Sequence, residues 1–499
     1  MSPLEIVIFL PIVAALAIWL GAPARLTSIT AALINLLIVG GIALGFDASK
    51  LGAGEFANVS SRVVLENPAI SFAVGIDGMS LILALLTTLV TFAAVWQIFA
   101  EKDSVFHIAS LLISAGALGA FLSTDVFFIY AFHELALIPT FLMIALHGHG
   151  DKETRRAVAW KITVYLGIGS LVLLAGLAAL VLNLSEGPVL TFDLTALAHK
   201  SATIPAATQE WIFFVLLLGF GTLVSLFPMH SWAAPAYATA PTSVAMLHAG
   251  VLKKFGLYGL LRIALPLLPL GAQAQWVQNA LLVMLLGNIL VMGLVTIHQD
   301  RLDDMLANSS VMHMGYIFLG IAAGTELALK GAVVLMFAHG ISIALSFALC
   351  GRMRNQLGTL EFSKLGGLAT HAPFLTVVFA FAAFASIGLP GLANFAGEIM
   401  VFMGTFDAKL WSPEKLGALQ WTTILSLWGV VISAVYMLRA YRKIFFGTAA
   451  SGLYMKDPAF SQRIPLVLLA AVLLIVGCCP GLLIDLIKTA WTAGKVAGL

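Results

Sequence analysis

Long apolar segments, each followed by a short polar connection, repeat along almost the whole chain. A helix needs about 20 apolar residues to cross the hydrocarbon core of a bilayer. The pattern therefore predicts an all-α polytopic membrane protein with about fourteen transmembrane helices. The predicted spans are 4–21, 26–46, 78–100, 106–122, 125–147, 158–183, 211–240, 243–265, 275–298, 305–323, 330–351, 373–406, 420–446 and 465–487.

Two of the predicted spans contain helix-breaking residues near their middle. Span 211–240 contains Pro228, and span 373–406 contains the run 388–391, which reads glycine, leucine, proline, glycine. Proline removes a backbone donor and glycine loosens the backbone, so both spans are expected to be interrupted inside the membrane.

The two interrupted spans lie five spans apart, which predicts an internal duplication of five-helix units. Because five is an odd number, the second unit would enter the membrane inverted. Interrupted helices at matching positions of two repeats are the usual sign of a transport pathway. We therefore expect an N-terminal three-helix segment, a first five-helix repeat, a second five-helix repeat, and a C-terminal loop with the last helix, at 1–105, 106–265, 275–446 and 447–499.

Composition leaves little room for an aqueous domain. Of the 499 residues, 61% are hydrophobic and 10% are charged, whereas soluble proteins carry about 25% charged residues. The net charge of +2 gives no indication of nucleic-acid binding, because the basic residues are spread among short loops. The cysteines Cys350, Cys478 and Cys479 have neither metal-site spacing nor a paired framework, so we expect no metal site, and Cys478 and Cys479 are expected to be small packing residues in an apolar segment.

Loop charges predict the orientation of the chain. With the N-terminus outside, the predicted cytoplasmic loops carry thirteen lysines and arginines and the external loops carry seven. Basic residues favour the cytoplasmic side, so both termini are expected outside, in a bacterial-type inner membrane. The first 20 residues lack a basic n-region and contain Glu5, so we expect a first span and not a cleaved signal peptide.

Three ionisable side chains, Glu134, Lys254 and Glu398, lie near the middle of membrane-length apolar segments. A charge near the centre of a bilayer costs roughly 2.5–3.5 kcal/mol on insertion scales, and the residues that carry one usually move ions or protons. A structural role is the alternative for each: a permanently protonated Glu134 bonded to a neighbouring helix, a cap formed by Glu398, or pairing of Lys254 with a carboxylate.

Further titratable residues could extend a proton route between these three. Histidine can donate and accept protons at physiological pH, although a single membrane histidine is often only a packing group. A buried lysine can also exchange its proton. The additional candidates are Lys253, Lys161, His230, His248, His313 and His339.

Five segments together resemble the antiporter-like membrane subunits of respiratory complex I, and most of all the M-type subunits. The likeness extends over nearly the whole chain and is densest from 125 to 400. The segments that carry it are 133–139, 249–262, 309–316, 338–340 and 394–398.

The resemblance implies a role for each matching residue. Glu134 corresponds to the fifth-helix glutamate of the family, Lys254 to the central eighth-helix lysine, and Glu398 to the twelfth-helix exit residue, which is glutamate in M-type subunits. His313 and His339 correspond to histidines of the central polar axis, and Lys161 to a basic residue of the sixth helix.

The resemblance also implies a function as a proton-translocating subunit of an NADH-quinone oxidoreductase. Redox energy would alter the pairing of Glu134 with a lysine, and a proton would pass through Lys254 and the histidines to Glu398. The chain itself would bind no cofactor, because NADH, FMN, iron-sulfur clusters and quinone belong to partner subunits. The expected partners are neighbouring membrane subunits and the lipid bilayer, without nucleic acid.

The sequence departs from the family pattern around the first interrupted span. Leu223 occupies the place of a seventh-helix lysine that usually pairs with the fifth-helix glutamate, and the loop 232–237 lacks the usual aspartate and histidine. Lys253 lies where relatives usually have an apolar residue. We hypothesise that Lys253 replaces the missing partner of Glu134.

These departures keep other functions open. The chain could be the equivalent subunit of a hydrogenase, a ferredoxin- or CO2-linked dehydrogenase, or a cation/proton antiporter complex. It could be a structural spacer that has lost pumping, which the loss of the seventh-helix lysine favours and the retained Glu134, Lys254 and Glu398 oppose. A stand-alone transporter is the remaining alternative.

Overall fold

The computed structural model describes residues 1–52, 54–98, 104–185, 189–200, 203–407, 415–447 and 454–487. In chain order the helices and strands are α1 (Pro3–Trp19), α2 (Ala24–Gly45), β1 (Ala57–Leu65), β2 (Ile70–Ile76), α3 (Gly78–Trp96), α4 (Ser104–Leu122), α5 (Val126–His147), α6 (Lys152–Leu184), α7 (Leu194–Ala198), α8 (Ala206–Val224), α9 (Ala233–Thr239), α10 (Thr242–Leu267), α11 (Pro269–Gln273), α12 (Gln275–Ile297), α13 (Leu302–Ala323), α14 (Glu326–Leu357), α15 (Pro373–Ile387), α16 (Ala393–Gly404), α17 (Ala418–Phe445), α18 (Phe460–Cys478) and α19 (Gly481–Ile484).

The predicted all-α membrane fold is confirmed. Within the described residues, twelve helices are long and apolar enough to cross a membrane, and two shorter apolar helices, α1 and α15, complete the predicted fourteen. Helices α3, α10, α13 and α14 are almost entirely buried inside the bundle, whereas the outer helices expose apolar side chains. The inverted repeat and the four-part division of the chain stay predictions.

Both predicted interruptions are present. Helix α8 ends at Val224, Ser225 adopts a left-handed conformation with φ of 73°, and the chain leaves helical structure until α9. Helix α15 ends at Ile387, after which Gly388 and Gly391 have φ of +79° and +91°. These left-handed angles favour glycine, which explains why this run stops the helix.

Two helices contain three wider, five-residue π turns that the sequence pattern did not predict. Two lie in α10, at His248–Leu252 and Leu260–Ala264, and one lies in α12, at Gly287–Val291. Such turns are rare and frequently occur at functional sites. Two of the three carry or adjoin residues of the site described below.

A β-hairpin covers the polar interlude between the second and third spans, where no strand was predicted. Strands β1 and β2 pair antiparallel, with Ala57 opposite Ile76 and Leu65 opposite Ile70. Arg62 of the hairpin reaches Glu5 of α1 at 3.0 Å. The exposed residues of β1 include the polar Asn58, Ser61 and Arg62 as well as apolar side chains.

A buried ion pair joins α3 to α10. The side chain of Asp77 caps α3 by accepting from the amide of Ser80 at 2.9 Å, and its Oδ1 accepts from Arg262 Nη2 at 2.6 Å. Burial, the largest single effect, would raise the pKa of Asp77, but the charge of Arg262 together with the hydrogen bonds from Arg262 and Ser80 outweighs it and holds the pKa below the ordinary value of 3.8. The ionised carboxylate therefore stabilises the fold above that pH, and its contribution is lost as the pH falls through the lower folded-state value.

We expect Asp77→Asn to destabilise the protein by about 3–5 kcal/mol, because it leaves the guanidinium of Arg262 buried without its counter-charge. Thermal unfolding of the purified protein in detergent at pH 7 measures this loss. Asp47→Asn is the matched control, since Asp47 pairs with Lys50 on the exposed surface and should leave the unfolding temperature unchanged. Equal stability of Asp77→Asn and the unsubstituted protein would contradict the assignment.

Candidate functional site

Lys254 and Lys253 are both buried in α10, but they face different neighbours. Lys254 is 0% exposed, and its amine donates to the carbonyl oxygen of Ala249 at 2.8 Å. Ala249 belongs to the π turn that precedes Lys254. The carbonyl oxygen of Ala249, within this wider turn, thus accepts a hydrogen bond from the side chain of Lys254. This bond holds the Lys254 amine in the centre of the bundle.

Lys253 contacts α13 and the second half of the interrupted seventh span. Its Nζ donates to the carbonyl oxygen of Ser310 at 2.9 Å and to the Ser310 hydroxyl at 3.2 Å. The same amine lies 5.1 Å from the ring centre of Tyr237 in α9, within the range of a cation–π contact. Within the described part of the chain, no carboxylate forms an ion pair with Lys253.

Ser310 connects Lys253 to a pair of histidines. The Ser310 hydroxyl lies 3.2 Å from His339 Nε2, and the rings of His339 and His313 stack with their centres 5.2 Å apart. Both histidines are buried. A hydroxyl can accept a proton from one neighbour while donating its own to another. Lys253, Ser310 and His339 therefore form a hydrogen-bonded relay between α10, α13 and α14.

His313 contacts the second helix interruption directly. Its Nδ1 lies 2.8 Å from the carbonyl oxygen of Ser309, and its Nε2 lies 2.8 Å from the carbonyl oxygen of Ser386 at the end of α15. Carbonyl oxygens only accept, so both contacts are hydrogen bonds only when both ring nitrogens carry a proton. Loss of a proton from His313 would weaken its connection either to its own helix or to the interruption.

Glu398 lies in the second turn of α16, against the same interruption. Its side chain is buried, and its carboxylate packs so closely on Gly388 that a side-chain carbon there would overlap it. Tyr316 and Tyr436 lie within electrostatic range of Glu398. The Tyr436 hydroxyl is 2.7 Å from that of Ser309. Tyr436 therefore connects the surroundings of Glu398 to the segment of α13 that contains Ser309 and His313.

Glu134 is separate from this buried group. Its carboxylate accepts a hydrogen bond from Ser170 of α6 and lies 3.4 Å from Nδ1 of His133. The side chain is 35% exposed, on the side of α5 that faces α6. His133 stacks on Phe255 of α10 with ring centres 3.8 Å apart, so a packed route still connects Glu134 to the lysine helix.

The expected direct contact between Glu134 and Lys253 is absent from this structure. Among the described residues, Glu134 contacts His133 of α5 and Ser170 of α6, whereas the side chain of Lys253 extends from α10 toward Ser310 of α13. The physical reason is the rotation of α10: Lys253 faces α13, and it is Phe255 that packs against His133. The hypothesis of a Glu134–Lys253 pair is therefore corrected for the conformation described here.

The remaining predicted residues lie near the first interruption. His230 stacks on Phe227 with ring centres 5.2 Å apart, within electrostatic range of Lys161, which is half-buried in α6. His248 packs between Trp232 and Tyr237, with ring centres 5.5 and 5.2 Å away. The structure thus brings His248 to the Lys253 side of the site, while Lys161 approaches from the periphery.

Sequence reasoning missed the hydroxyl and amide groups of the site. Ser310, Ser170 and Tyr237 contact predicted residues directly, and Asn288 contacts the first interruption. The available signal was a polar residue inside a membrane-length apolar segment. Because serine and tyrosine are also common packing residues in such segments, that signal does not single them out. In the described ranges, histidine, cysteine and carboxylate side chains form no metal-binding group of three or more.

A bundle of membrane-spanning helices with two interruptions and a buried chain of lysine, serine and histidine defines a membrane subunit of the ion-translocating type. Residues 123–425 match the family described as NADH:quinone oxidoreductase/Mrp antiporter, TM. The chain is 34% identical over 434 residues to NADH-quinone oxidoreductase subunit M of Pseudomonas aeruginosa, covering 85% of this chain and 82% of the relative. The protein belongs to this family of membrane subunits.

Other relatives agree with this assignment. Subunit M of Escherichia coli K12 is 32% identical over 425 residues, which cover 83% of this chain and 81% of the relative. A chain of respiratory complex I from Thermus thermophilus superimposes with a TM-score of 0.88 at 29% identity, covering 99% and 100% of the two chains. A chain of the Mrp complex from Dietzia sp. has a TM-score of 0.82 at 19% identity, covering 100% and 97%, and shows the shared fold.

Proposed function

We propose that this chain is the proton-translocating M-type membrane subunit of an NADH-quinone oxidoreductase, in a bacterial inner membrane. The observation that carries the proposal is the hydrogen-bonded connection from Lys253 through Ser310 to His339, beside the stacked His313. The names of the relatives that match most of the chain support the choice of complex. NADH, FMN, iron-sulfur clusters and quinone would bind to partner subunits, beside which this chain would lie.

The geometry supports proton transfer along buried side chains. A proton leaving the Lys253 amine would pass to the Ser310 oxygen, while the Ser310 hydroxyl proton moves to His339. Because a low dielectric strengthens the interaction between charges, a charge change at one group alters proton affinity at the next. Charge moving at Glu134 would act on Lys253 and Lys254 through this field, without direct contact, and Glu398 would receive the proton at the far interruption.

Purification of the intact assembly tests the identity of the complex. Mass spectrometry of the companion subunits is expected to find NADH-binding and quinone-reducing subunits. Subunits of a hydrogenase, or of a cation/proton antiporter without a redox module, would contradict the proposal. The antiporter alternative has a specific basis, because Leu223 is a buried apolar residue where a lysine was expected, and sodium-dependent proton movement without NADH would support it.

Lys254→Met is expected to lower NADH-driven proton uptake by inverted vesicles by about 100-fold, because the central titratable amine is lost. Uptake is measured with a pH-sensitive dye, and NADH oxidation in the presence of an uncoupler shows that the assembly is intact. Lys364→Met is the control, since Lys364 is exposed and pairs with Glu361 on the surface. Normal proton uptake by Lys254→Met vesicles would favour the alternative of a non-pumping spacer.

We infer that both termini lie outside, from the excess of basic residues in the loops predicted to be cytoplasmic. Labelling of a single cysteine introduced at Ser2 by a membrane-impermeant maleimide is expected in intact cells after removal of the outer membrane. Cys350, Cys478 and Cys479 are first replaced by serine. Labelling only after permeabilisation would reverse the orientation.

A further inference from the structure

Asn288 ties the first helix interruption to α13. It lies in the π turn of α12 and is 0% exposed. Its Oδ1 accepts from the amide of Phe227 at 2.7 Å, and its Nδ2 donates to the carbonyl oxygens of Ser225 at 3.0 Å and Val311 at 2.9 Å. A side-chain amide has two N–H donors, so both are used, and all three bonds go to backbone atoms of other elements.

The interruption needs such a partner because it lies inside the bundle. Between Ser225 and Trp232 the backbone leaves helical structure, and its freed polar groups have no water to bond with in a hydrocarbon environment. Asn288 satisfies one freed donor and one freed acceptor. The neighbouring Gly287 packs against the ring of Phe227, whose Cδ1 would lie 2.5 Å from a side-chain carbon at that position. Gly287 and Asn288 together therefore fix where Phe227 lies.

The position of Phe227 matters because its ring stacks on His230, with interplanar angle 14°. At the other end, the carbonyl oxygen of Val311 lies next to Ser310, which accepts from Lys253. Two residues further along α13, His313 contacts Ser386 at the second interruption. The segment 310–313 is thus bonded to the first interruption through Asn288 and to the second through His313.

We propose that Asn288 is a positioning residue for proton translocation. It holds the first interruption at a fixed distance from the Lys253–Ser310 contact, so that movement of the interruption shifts segment 310–313 and, through His313, the second interruption. Asn288 does not itself carry the proton in this scheme. The inference rests on the proposed function, because it assigns the residue that coordinates the two interruptions during the same reaction.

Asn288→Asp tests the proposal, because aspartate has the same shape and keeps the acceptor for Phe227 but replaces the two N–H donors with at most one O–H. In inverted vesicles containing the complete assembly, we expect the number of protons moved per NADH oxidised to fall about fivefold and the pH optimum of proton movement to shift. Uncoupled NADH oxidation should remain. The matched control is Asn279→Asp, an exposed amide on the same helix that bonds to Gln275, and it should leave both quantities unchanged.

Hydrogen–deuterium exchange of the unsubstituted assembly keeps the proposal testable if Asn288→Asp does not assemble. The Phe227 amide lies outside helical structure, yet its bond to Asn288 should protect it about as well as helical amides. Rapid exchange at Phe227 overturns the inference, as does an Asn288→Asp assembly with an unchanged proton ratio and pH profile. If the unsubstituted assembly moves no protons, the proposed function itself fails. Proton movement by the unsubstituted assembly is therefore measured before that of any Asn288 variant.

Discussion

Lys253→Ala is expected to abolish proton translocation while the assembly and its electron transfer persist. Lys253 is the only amine that reaches Ser310 among the described residues, and Ser310 is its connection to His339. Removing the amine leaves the serine hydroxyl without a proton donor on the α10 side. Loss of a positioned acid–base group lowers a proton-transfer rate by about 100-fold or more.

Lys253→Arg separates titration from charge in this experiment. Arginine keeps a positive charge but does not release its proton in proteins, so we expect it to fail in translocation as alanine does. Lys330→Ala is the matched control, because Lys330 also lies on a membrane helix but its amine pairs with the exposed carboxylate of Glu326, one turn away, at 2.5 Å. Proton uptake in inverted vesicles decides the matter: full pumping by Lys253→Ala would refute the replacement hypothesis, and full pumping by Lys253→Arg would show that charge alone suffices.

The prediction for Lys253 no longer depends on direct contact with Glu134. The sequence indicated that an extra lysine compensates for Leu223, and it suggested the simplest geometry, a Glu–Lys pair. In the structure, the amine of Lys253 is bonded to Ser310 and the carboxylate of Glu134 to Ser170. Compensation would therefore act through the electric field across α10, which is strong because the buried part of the bundle has a low dielectric.

The two interruptions could be predicted because their causes are local. Proline at 228 and the two glycines at 388 and 391 disturb the backbone wherever the helix packs, and the structure breaks at both places. The number of spans was predictable for a similar reason, since apolar length alone decides whether a helix can cross a membrane. Neither inference requires knowledge of which helices are neighbours.

The partners of the charged residues could not be predicted, because they depend on how each helix is rotated in the bundle. Lys253 and Lys254 are adjacent, so the sequence shows that they face different directions, but only packing shows that one meets Ser310 and the other Ala249. The partial exposure of Glu134 could not be predicted for the same reason. Apart from His133, the residues next to it in sequence are apolar, and this holds whether α5 faces lipid, a neighbouring subunit or the interior.

Gly388→Ala is expected to stop proton translocation by displacing Glu398. A methyl group at Gly388 would overlap the buried Glu398 carboxylate, which is the end of a flexible side chain and would therefore have to rotate away from its present position. A displacement of about 1 Å in a reacting group can cost on the order of 100-fold in rate. Proton uptake per NADH oxidised in inverted vesicles measures the effect, with uncoupled NADH oxidation as the test of assembly.

Gly391→Ala isolates the overlap from backbone strain. Gly391 has a comparable left-handed conformation, with φ of +91°, but a side-chain carbon there would meet no atom within 4 Å. Both variants therefore carry the cost of a left-handed alanine, about 1–2 kcal/mol, and only Gly388→Ala moves the carboxylate. Gly391→Ala should pump almost normally. Equal loss of pumping in the two variants would mean that backbone strain in the interruption is responsible. Normal pumping by Gly388→Ala would contradict the prediction, because it would show that Glu398 does not need its present position.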